Sequence, residues 1–205
     1  MNRRSYLEMF VVILALASTA NAATLIVNGS GLLTGASGVN IGGTLYDVEF
    51  VDGTCAAVFD GCDNAAADFD FTTQSDALAA SQALLDQVFL DVPGQGTFDA
   101  NPSLTFGCPG GVDSLCVART PFELIAGSFL SMGQALNGAG GAFLDLVSIF
   151  GNSSAALNTA DEPIIVYVRW SPTPDATIPE PASLTLLGLG LAGIGARRWR
   201  QRKAS

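Results

Sequence analysis

The feature that most constrains the fold is an uncharged segment near the C-terminus, from Ala182 to Ala196, which is followed at once by a basic cluster. As a helix, its fifteen residues span about 22 Å, against about 30 Å for the hydrocarbon core of a bilayer. Basic side chains and Trp199 reach the headgroup level and make up much of that difference. We therefore expect a C-terminal transmembrane helix over 182–196, followed by a cytoplasmic basic stop of Arg197, Arg198, Arg200, Arg202 and Lys203.

The N-terminus has the three parts of a secretory signal peptide. Arg3 and Arg4 form a positive region, an apolar stretch follows from Met9 to Ala17, and Ala20-Asn21-Ala22 supplies small residues at a cleavage site. The apolar stretch is too short to span a bilayer, which disfavours an uncleaved anchor. We expect 1–22 to be a Sec signal peptide, 23–174 a secreted β-rich domain, and 175–205 a linker with a terminal signal.

A Pro-Glu-Pro motif lies directly before the C-terminal apolar segment. The order of Ile178-Pro179-Glu180-Pro181, apolar segment and basic cluster resembles the PEP-CTERM sorting signal of bacterial proteins, over residues 178–205. The resemblance implies that Pro179, Glu180 and Pro181 are the sorting signal and that a membrane enzyme, exosortase, processes the chain. It also implies an inner-membrane precursor that is delivered to the cell surface or the exterior, in bacteria that produce exopolysaccharide. An ordinary tail anchor is the alternative.

The body between these terminal segments is strongly acidic. Residues 23–177 contain seventeen Asp and Glu residues and only two bases, Arg119 and Arg169, so their formal charge is near −15, whereas the whole chain has −10. This surface repels a phosphate backbone, which excludes nucleic acid as a partner. The length fits one domain with its own core.

The densest acidic patch in the body consists of aspartates. Carboxylate oxygens are the ligands that Ca²⁺ prefers, so calcium is the candidate cofactor. The spacing does not match an EF-hand loop, and solvation of a secreted protein is the alternative interpretation. The candidate ligands are Asp60, Asp63, Asp68 and Asp70.

All four cysteines lie in the exported part, which favours disulfides. Their spacing suggests two local loops, Cys55–Cys62 and Cys108–Cys116, although three pairings are possible. A four-cysteine zinc site would need C-x₂₋₄-C pairs, and neither spacing fits that pattern.

Hydrophobic periodicity predicts a mainly β body. Thr44 to Val51 alternates, with Tyr46, Val48 and Phe50 on one face and Asp47 and Glu49 on the other, and Ile164 to Trp170 is apolar enough for a strand buried on both faces. Further strands are predicted at 24–28, 68–72 and 121–131. The Gly-rich stretch 29–43 is predicted as turns with at most a short strand near Leu32 and Leu33, 132–141 as flexible, and 142–150 suits a helix or a strand.

One long amphipathic helix is predicted over 75–89. Thr73-Gln74-Ser75-Asp76 resembles a capping box with Asp in place of Glu. An apolar stripe follows, which we assign to core packing: Ala77, Leu78, Leu84, Leu85, Val88 and Phe89. The expected fold is a sandwich-like β domain with this helix, many Gly turns and the C-terminal transmembrane helix.

The chain contains no histidine, which excludes Ser-His-Asp and Cys-His nucleophiles and a histidine general base. The only lysine, Lys203, lies in the tail, so Ser-Lys catalysis is excluded as well. We expect a surface or matrix protein without catalysis, structural, adhesive or associated with exopolysaccharide. The alternative is a secreted carbohydrate-active enzyme that uses two Asp carboxylates.

Overall fold

The computed structural model describes residues 22–110, 115–139 and 145–173. The described strands and helices lie between Thr24 and Pro172. Three expected segments lie outside the described residues: the signal peptide 1–22, apart from its last residue, the sorting signal, and the transmembrane helix 182–196. Within the described ranges, no helix has the length and apolar character needed to cross a bilayer.

The long strands form one mixed sheet of seven strands in the order β1-β2-β3-β9-β6-β7-β8. Neighbouring strands are antiparallel, except that β6 and β9 are parallel. The strands are β1 (Thr24–Val27), β2 (Leu33–Ile41), β3 (Thr44–Val51), β6 (Leu115–Ile125), β7 (Phe129–Gly138), β8 (Leu146–Ser154) and β9 (Ile165–Pro172). A separate two-residue hairpin is made by β4 (Asp91–Val92) and β5 (Gly96–Thr97).

This arrangement confirms the mainly β body but corrects the sandwich. In a sandwich two sheets pack against each other, whereas here β9 hydrogen-bonds to β3 on one side and to β6 on the other. It thereby joins two antiparallel groups, β1-β2-β3 and β6-β7-β8, into a single sheet. The core is closed by helices and loops on the faces of that sheet.

The long helix α3 (Gln74–Gln87) begins at the predicted capping box. The Thr73 hydroxyl accepts the Asp76 N–H at 3.2 Å and donates to the Asp76 carboxylate at 2.7 Å, which satisfies one of the free N–H groups at the helix start. Two further short helices are α1 (Cys55–Val58) and α2 (Ala65–Asp68), and 3₁₀ turns lie at Pro102–Leu104 and Thr159–Asp161.

Helix α3 crosses the strands. Near its start, the backbone of Ala77 lies against Gly133 of β7, where an added Cβ would stand 2.6 Å from the Ala77 carbonyl oxygen. Near its end, the Gln87 amide accepts the Asn40 N–H of β2 at 2.9 Å and donates to the Asn40 carbonyl at 2.8 Å. Ala77 and Gln87 are about 15 Å apart along the helix, and β2 and β7 are four strand spacings, or about 19 Å, apart.

We call the side of the sheet under α3 the helix face, and it carries the larger core. On β9, Val166, Val168 and Trp170 point to this side, and Phe50 of β3 stacks on Phe89 with ring centroids 5.5 Å apart. Of the predicted stripe, Ala77 and Leu84 are buried within α3, Leu78 and Leu85 are half-buried, and Val88 and Phe89 are buried directly after the helix ends at Gln87.

We call the other side the outer face, and a smaller cluster covers part of it. Tyr167 of β9 points to this side and is fully buried. Phe59, which follows α1, packs edge-on against Tyr167 and Phe69, with centroids 5.5 Å and 5.3 Å apart. Leu130 and Met132 of β7 complete the cluster together with Cys55 and Cys62.

Four local predictions were wrong. The strand predicted over 121–131 is divided between two strands, because β6 ends at Ile125, β7 begins at Phe129 and residues 126–128 form the turn between them. The Gly-rich stretch 29–43 contains the nine-residue strand β2 instead of turns. Residues 132–138 continue strand β7 and are not flexible. Phe69 and Phe71 are buried as predicted, but they follow α2 as extended chain and form no strand. The ambiguous segment 142–150 contains the first part of β8, and its residues 142–144 lie outside the described ranges.

Candidate functional site

A groove of about 620 Å³ opens at the sheet region formed by β1, β2, β3 and β9. The loop after the 3₁₀ turn Pro102–Leu104 closes one side of it with Phe106. The charged side chains of its lining are Asp47, Glu49, Asp52 and Arg169, and the hydroxyl side chains are Thr34 and Ser171.

The alternation of side chains along β3 and β9 determines which charged groups face the groove. Asp47 and Glu49 alternate on β3 with Val48 and Phe50, which belong to the helix-face core, so the two carboxylates point away from α3. Arg169 of β9 is the direct cross-strand partner of Glu49, and its guanidinium donates to the Glu49 carboxylate. The pair is about half exposed, so it fixes the side chains while contributing little stability.

Asp52 lies where β3 ends and is held by a side chain distant in sequence. The Thr159 hydroxyl donates to Asp52 Oδ1 at 3.1 Å and accepts the Gly53 N–H at 3.0 Å. Partial burial raises the pKa of Asp52 above its usual value of 3.8, and the Thr159 hydrogen bond offsets only part of this rise. Asp52 therefore takes up a proton more readily than an ordinary aspartate does.

Apolar surface borders the charged groups. Phe106 is 36% exposed, and Ile26 on the edge strand β1 is 48% exposed. The Phe106 N–H donates to the Leu33 carbonyl at 2.9 Å, which ties its loop to the start of β2. Gly107 has φ +82° and lies so close to Val166 that an added Cβ would be 2.6 Å from that side chain. The glycine thus allows the loop to approach β9 and present Phe106 to the groove.

The aspartates predicted as calcium ligands do not assemble into a cage. Asp68 Oδ2 accepts the N–H groups of Asp63 and Asn64 at 2.9 and 2.8 Å, so it caps the turn that enters α2. Asp60, Asp63 and Asp70 are exposed. Asp68 and Asp70 do not share a strand face, because α2 ends at Asp68. Among the described residues there is no group of three or more His, Cys, Asp or Glu side chains placed to hold a metal ion.

Both predicted disulfides are confirmed. Cys55–Cys62 joins the ends of the α1 segment with Cα atoms 5.6 Å apart, and Cys108–Cys116 ties the loop after Phe106 to β6 with Cα atoms 5.5 Å apart. The described cysteines include no free thiol. The sorting-signal residues 179–181 and the basic stop 197–203 lie outside the described residues.

The groove was not foreseen from the sequence. The alternation on β3 did predict that Asp47 and Glu49 share a polar face, which is half of the information needed to predict the charged lining of the groove. The other half is the register between β3 and β9, which joins residues 120 positions apart in the chain. Phe106 and Asp52 carry no pattern that sets them apart from other loop residues.

Comparison with known proteins assigns the C-terminal segment. Residues 177–202 match the PEP-CTERM protein-sorting motif. The chain therefore carries the signal of an exosortase substrate, as the sequence resemblance implied, which makes it an exported protein that is sorted to the surface. Neither a curated protein nor a solved structure matches the chain.

Proposed function

We propose that this protein acts at the cell surface or in the extracellular matrix by binding polysaccharide in the groove, without catalysis. The observation that carries the proposal is the composition of the groove. Partly exposed Phe106 and Ile26 stand beside the charged side chains of Asp47, Glu49 and Arg169. The volume of about 620 Å³ is that of an ordinary small-ligand site.

This combination suits sugars. The C–H face of a sugar ring is apolar and packs on a ring such as Phe106, whereas its hydroxyl groups hydrogen-bond to carboxylates and guanidinium groups. Charge-assisted hydrogen bonds of this kind are stronger than neutral ones. The Glu49–Arg169 pair offers a fixed acceptor and donor side by side.

The electrostatics favour a neutral or amino sugar over an acidic one. The body has a formal charge near −15, and the groove itself contributes three carboxylates against one guanidinium. A polymer of uronic acids would be repelled on approach. The proposed ligand class is therefore neutral or cationic polysaccharide, such as an exopolysaccharide of that type.

Two of the groove carboxylates already have hydrogen-bond partners, which supports ligand binding over hydrolysis. A glycosidase needs a general acid and a second carboxylate at a defined separation across the scissile bond. In the groove, Glu49 is paired with Arg169, and Asp47 accepts the Gly38 N–H at 3.1 Å. The enzyme alternative is favoured by one observation, which is the raised pKa of Asp52, since a general acid must hold its proton.

Isothermal titration with defined hexasaccharides tests the proposal. The full chain, purified in mild detergent, is titrated with cellohexaose, a chitosan hexamer and an alginate hexamer, which are neutral, cationic and anionic probes. We expect binding of the neutral or cationic probe only, weakened about tenfold by Phe106→Ala because an aromatic contact is lost. Phe129→Ala is the matched control, because Phe129 is 45% exposed but does not line the groove.

Two results would redirect the assignment. Equal affinity of the Phe106→Ala and Phe129→Ala proteins would remove the groove as the binding site. Release of new reducing ends from any probe, abolished by Asp52→Asn, would establish the enzyme alternative instead.

We further propose the route to the surface. Sec export through the signal peptide 1–22 and anchoring by 182–196 would give an inner-membrane precursor, from which exosortase removes the C-terminal signal. The support is the sorting motif at 177–202. Fractionation of host cells with and without exosortase tests this route: the body should stay with the inner membrane when the enzyme is missing, and an unchanged distribution would refute it.

A further inference from the structure

A row of polar side chains crosses the outer face of the sheet away from the groove. Tyr167 of β9 pairs with Arg119 of β6, Arg119 pairs with Gln134 of β7, and Gln134 pairs with Ser148 of β8. Because direct cross-strand partners lie on the same face, the four side chains are neighbours. Gln134 donates to the Ser148 hydroxyl at 2.9 Å, which satisfies one end of the row.

The other end of the row is buried and unsatisfied. Arg119 is 6% exposed and Tyr167 is 0% exposed. Within the described part of the chain, Arg119 Nε and the Tyr167 hydroxyl have no hydrogen-bond partner. Buried polar atoms in folded proteins are almost always paired, because an unpaired one costs about 1–3 kcal/mol, and more when it is charged.

Arg119 forms no salt bridge with any residue that the structure describes. The one ion pair among the described residues is Arg169–Glu49, so the second cation of the body has no salt bridge. Its guanidinium lies 4.4 Å from the centroid of the Phe150 ring, which supplies a cation–π contact and no hydrogen bond. Burial lowers the pKa of Arg119, and the negative charge of Glu162 offsets part of this. Burial also raises the pKa of Tyr167, so its phenol stays neutral and keeps its hydrogen.

We propose that Arg119 and Tyr167 form a binding site for a small carboxylate. A guanidinium has only donors, and a neighbouring phenol hydroxyl adds one more, so the pair lacks an acceptor with negative charge. A carboxylate supplies both the acceptors and the charge, and it matches the fork of an arginine.

The cover of the site permits access. Phe150 lies on β8, the last strand of the sheet, and is 39% exposed. Phe150 is not part of the core under α3, so the proposed site requires only that this ring turn aside when the carboxylate enters. The site is separate from the groove, because none of its residues lines the groove. The test of this site is therefore independent of the test of polysaccharide binding.

Acetate is the probe. The full chain, in mild detergent at about 0.15 M ionic strength, where repulsion by the acidic surface is screened beyond about 8 Å, is titrated with ¹³C-acetate while the acetate linewidth and the Tm are followed. We expect saturable line broadening and a saturable rise in Tm. Sodium chloride at equal ionic strength should give neither saturable effect.

Variants decide which groups bind. Tyr167→Phe keeps the ring and its packing and removes the hydroxyl, and it should weaken acetate binding about tenfold. Arg119→Met keeps much of the side-chain volume and should abolish it. Ile149→Ala is the matched control on the same edge strand, since Ile149 is 36% exposed and is not part of the row.

Two outcomes would contradict the proposed carboxylate site. Acetate broadening that is absent in the native chain, or is the same in the native, Tyr167→Phe and Arg119→Met proteins, would overturn the site. The unpaired groups would then be satisfied by water. The linewidth of acetate with the native chain is decisive even if both variants fail to fold.

Discussion

The two faces of the sheet are built from the same strands but are closed by different covers. On the helix face, α3 lies across the strands and excludes water with apolar side chains such as Leu84 and Phe89. On the outer face, a short helix with its disulfide covers only the cluster around Tyr167, and charged groups such as Glu49 and Arg169 line open surface.

The difference separates stability from recognition. Burial of apolar area is the main favourable contribution to folding, and it is concentrated under α3. Polar groups that bind a ligand must be exposed to solvent or be covered only by a side chain that can move aside. Both candidate sites, the groove and the Arg119–Tyr167 site, therefore lie on the outer face. Alternation along β9 produces this division within one strand, since Val168 points to the core and Arg169 to the groove.

The largest effect should come from opening the helix-face core with Phe89→Ala. Phe89 is 1% exposed and stacks on Phe50, so truncation removes a large apolar contact and leaves a cavity. We expect a loss of about 3–5 kcal/mol in the free energy of unfolding, measured by urea denaturation. Phe106→Ala, its counterpart at the groove, should cost less than about 1 kcal/mol. Equal losses would break the proposed division between the faces.

The disulfides give a comparison across the two faces. Cys55–Cys62 belongs to the outer cluster, and Cys108–Cys116 belongs to the helix-face core. Loops of this length should each contribute about 2–3 kcal/mol on the chain-entropy model, so the two double Cys→Ala variants should be destabilised to a similar degree. Urea denaturation of each variant measures this. A much greater loss for Cys108/Cys116 would show that core packing, not loop closure, sets the contribution.

The close approach of α3 to the sheet is tested by Gly133→Ala. The new Cβ would lie 2.6 Å from the Ala77 carbonyl oxygen, so the helix must shift. We expect a loss of about 1–3 kcal/mol by urea denaturation. Gly151→Ala on β8 is the control, because an added Cβ there meets nothing within 4 Å. A stability equal to that of the control would mean that the helix adjusts freely.

The smallest effect concerns Asp52 and pH. Because burial raises its folded-state pKa above 3.8, the folded protein binds more protons here than the unfolded chain does between those two values. This contribution to stability is therefore present below about pH 3.8 and is lost as the pH rises through the folded-state pKa. On going from acid to neutral pH, the free energy of unfolding of the native protein should fall relative to that of Asp52→Asn, by up to about 1 kcal/mol. Paired denaturation curves across pH check the sign, and a relative gain would contradict it.

Local signals in the sequence predicted the elements that depend on near neighbours. The capping box at Thr73 fixed the start of α3, and alternation defined β3. Strand β2 was missed because its glycines look like turn residues. In the structure they have another cause: a Cβ on Gly35 would stand 2.1 Å from the Val48 carbonyl oxygen, and Gly38 has φ +71° where the pairing with β3 shifts register. Glycine inside a strand often marks such a bulge.

The sites depend on contacts between distant residues, which no local pattern reports. Arg119 and Arg169 were visible as the only bases of the body, and this rarity was the available clue to both sites. Their environments are opposite: Arg119 is buried and has no salt bridge among the described residues, whereas Arg169 is paired with Glu49 at the surface. Both follow from the placement of β9 beside both β3 and β6. The aspartate patch left calcium binding and solvation open, because composition cannot distinguish a metal ligand from an aspartate such as Asp68, which accepts backbone N–H groups of its own turn.

The position of β9 also sets the order in which this protein can be completed. The strand at the middle of the sheet is the last one that the ribosome makes, because β3 ends at Val51 and its partner begins at Ile165. Without β9, the groups β1-β2-β3 and β6-β7-β8 have no strand to join them, and such long-range pairing is slow to form. A chain truncated before residue 165 would keep every other long strand and still lack the link between them. The sheet therefore cannot close until the part of the chain just before the sorting motif at 177–202 is present.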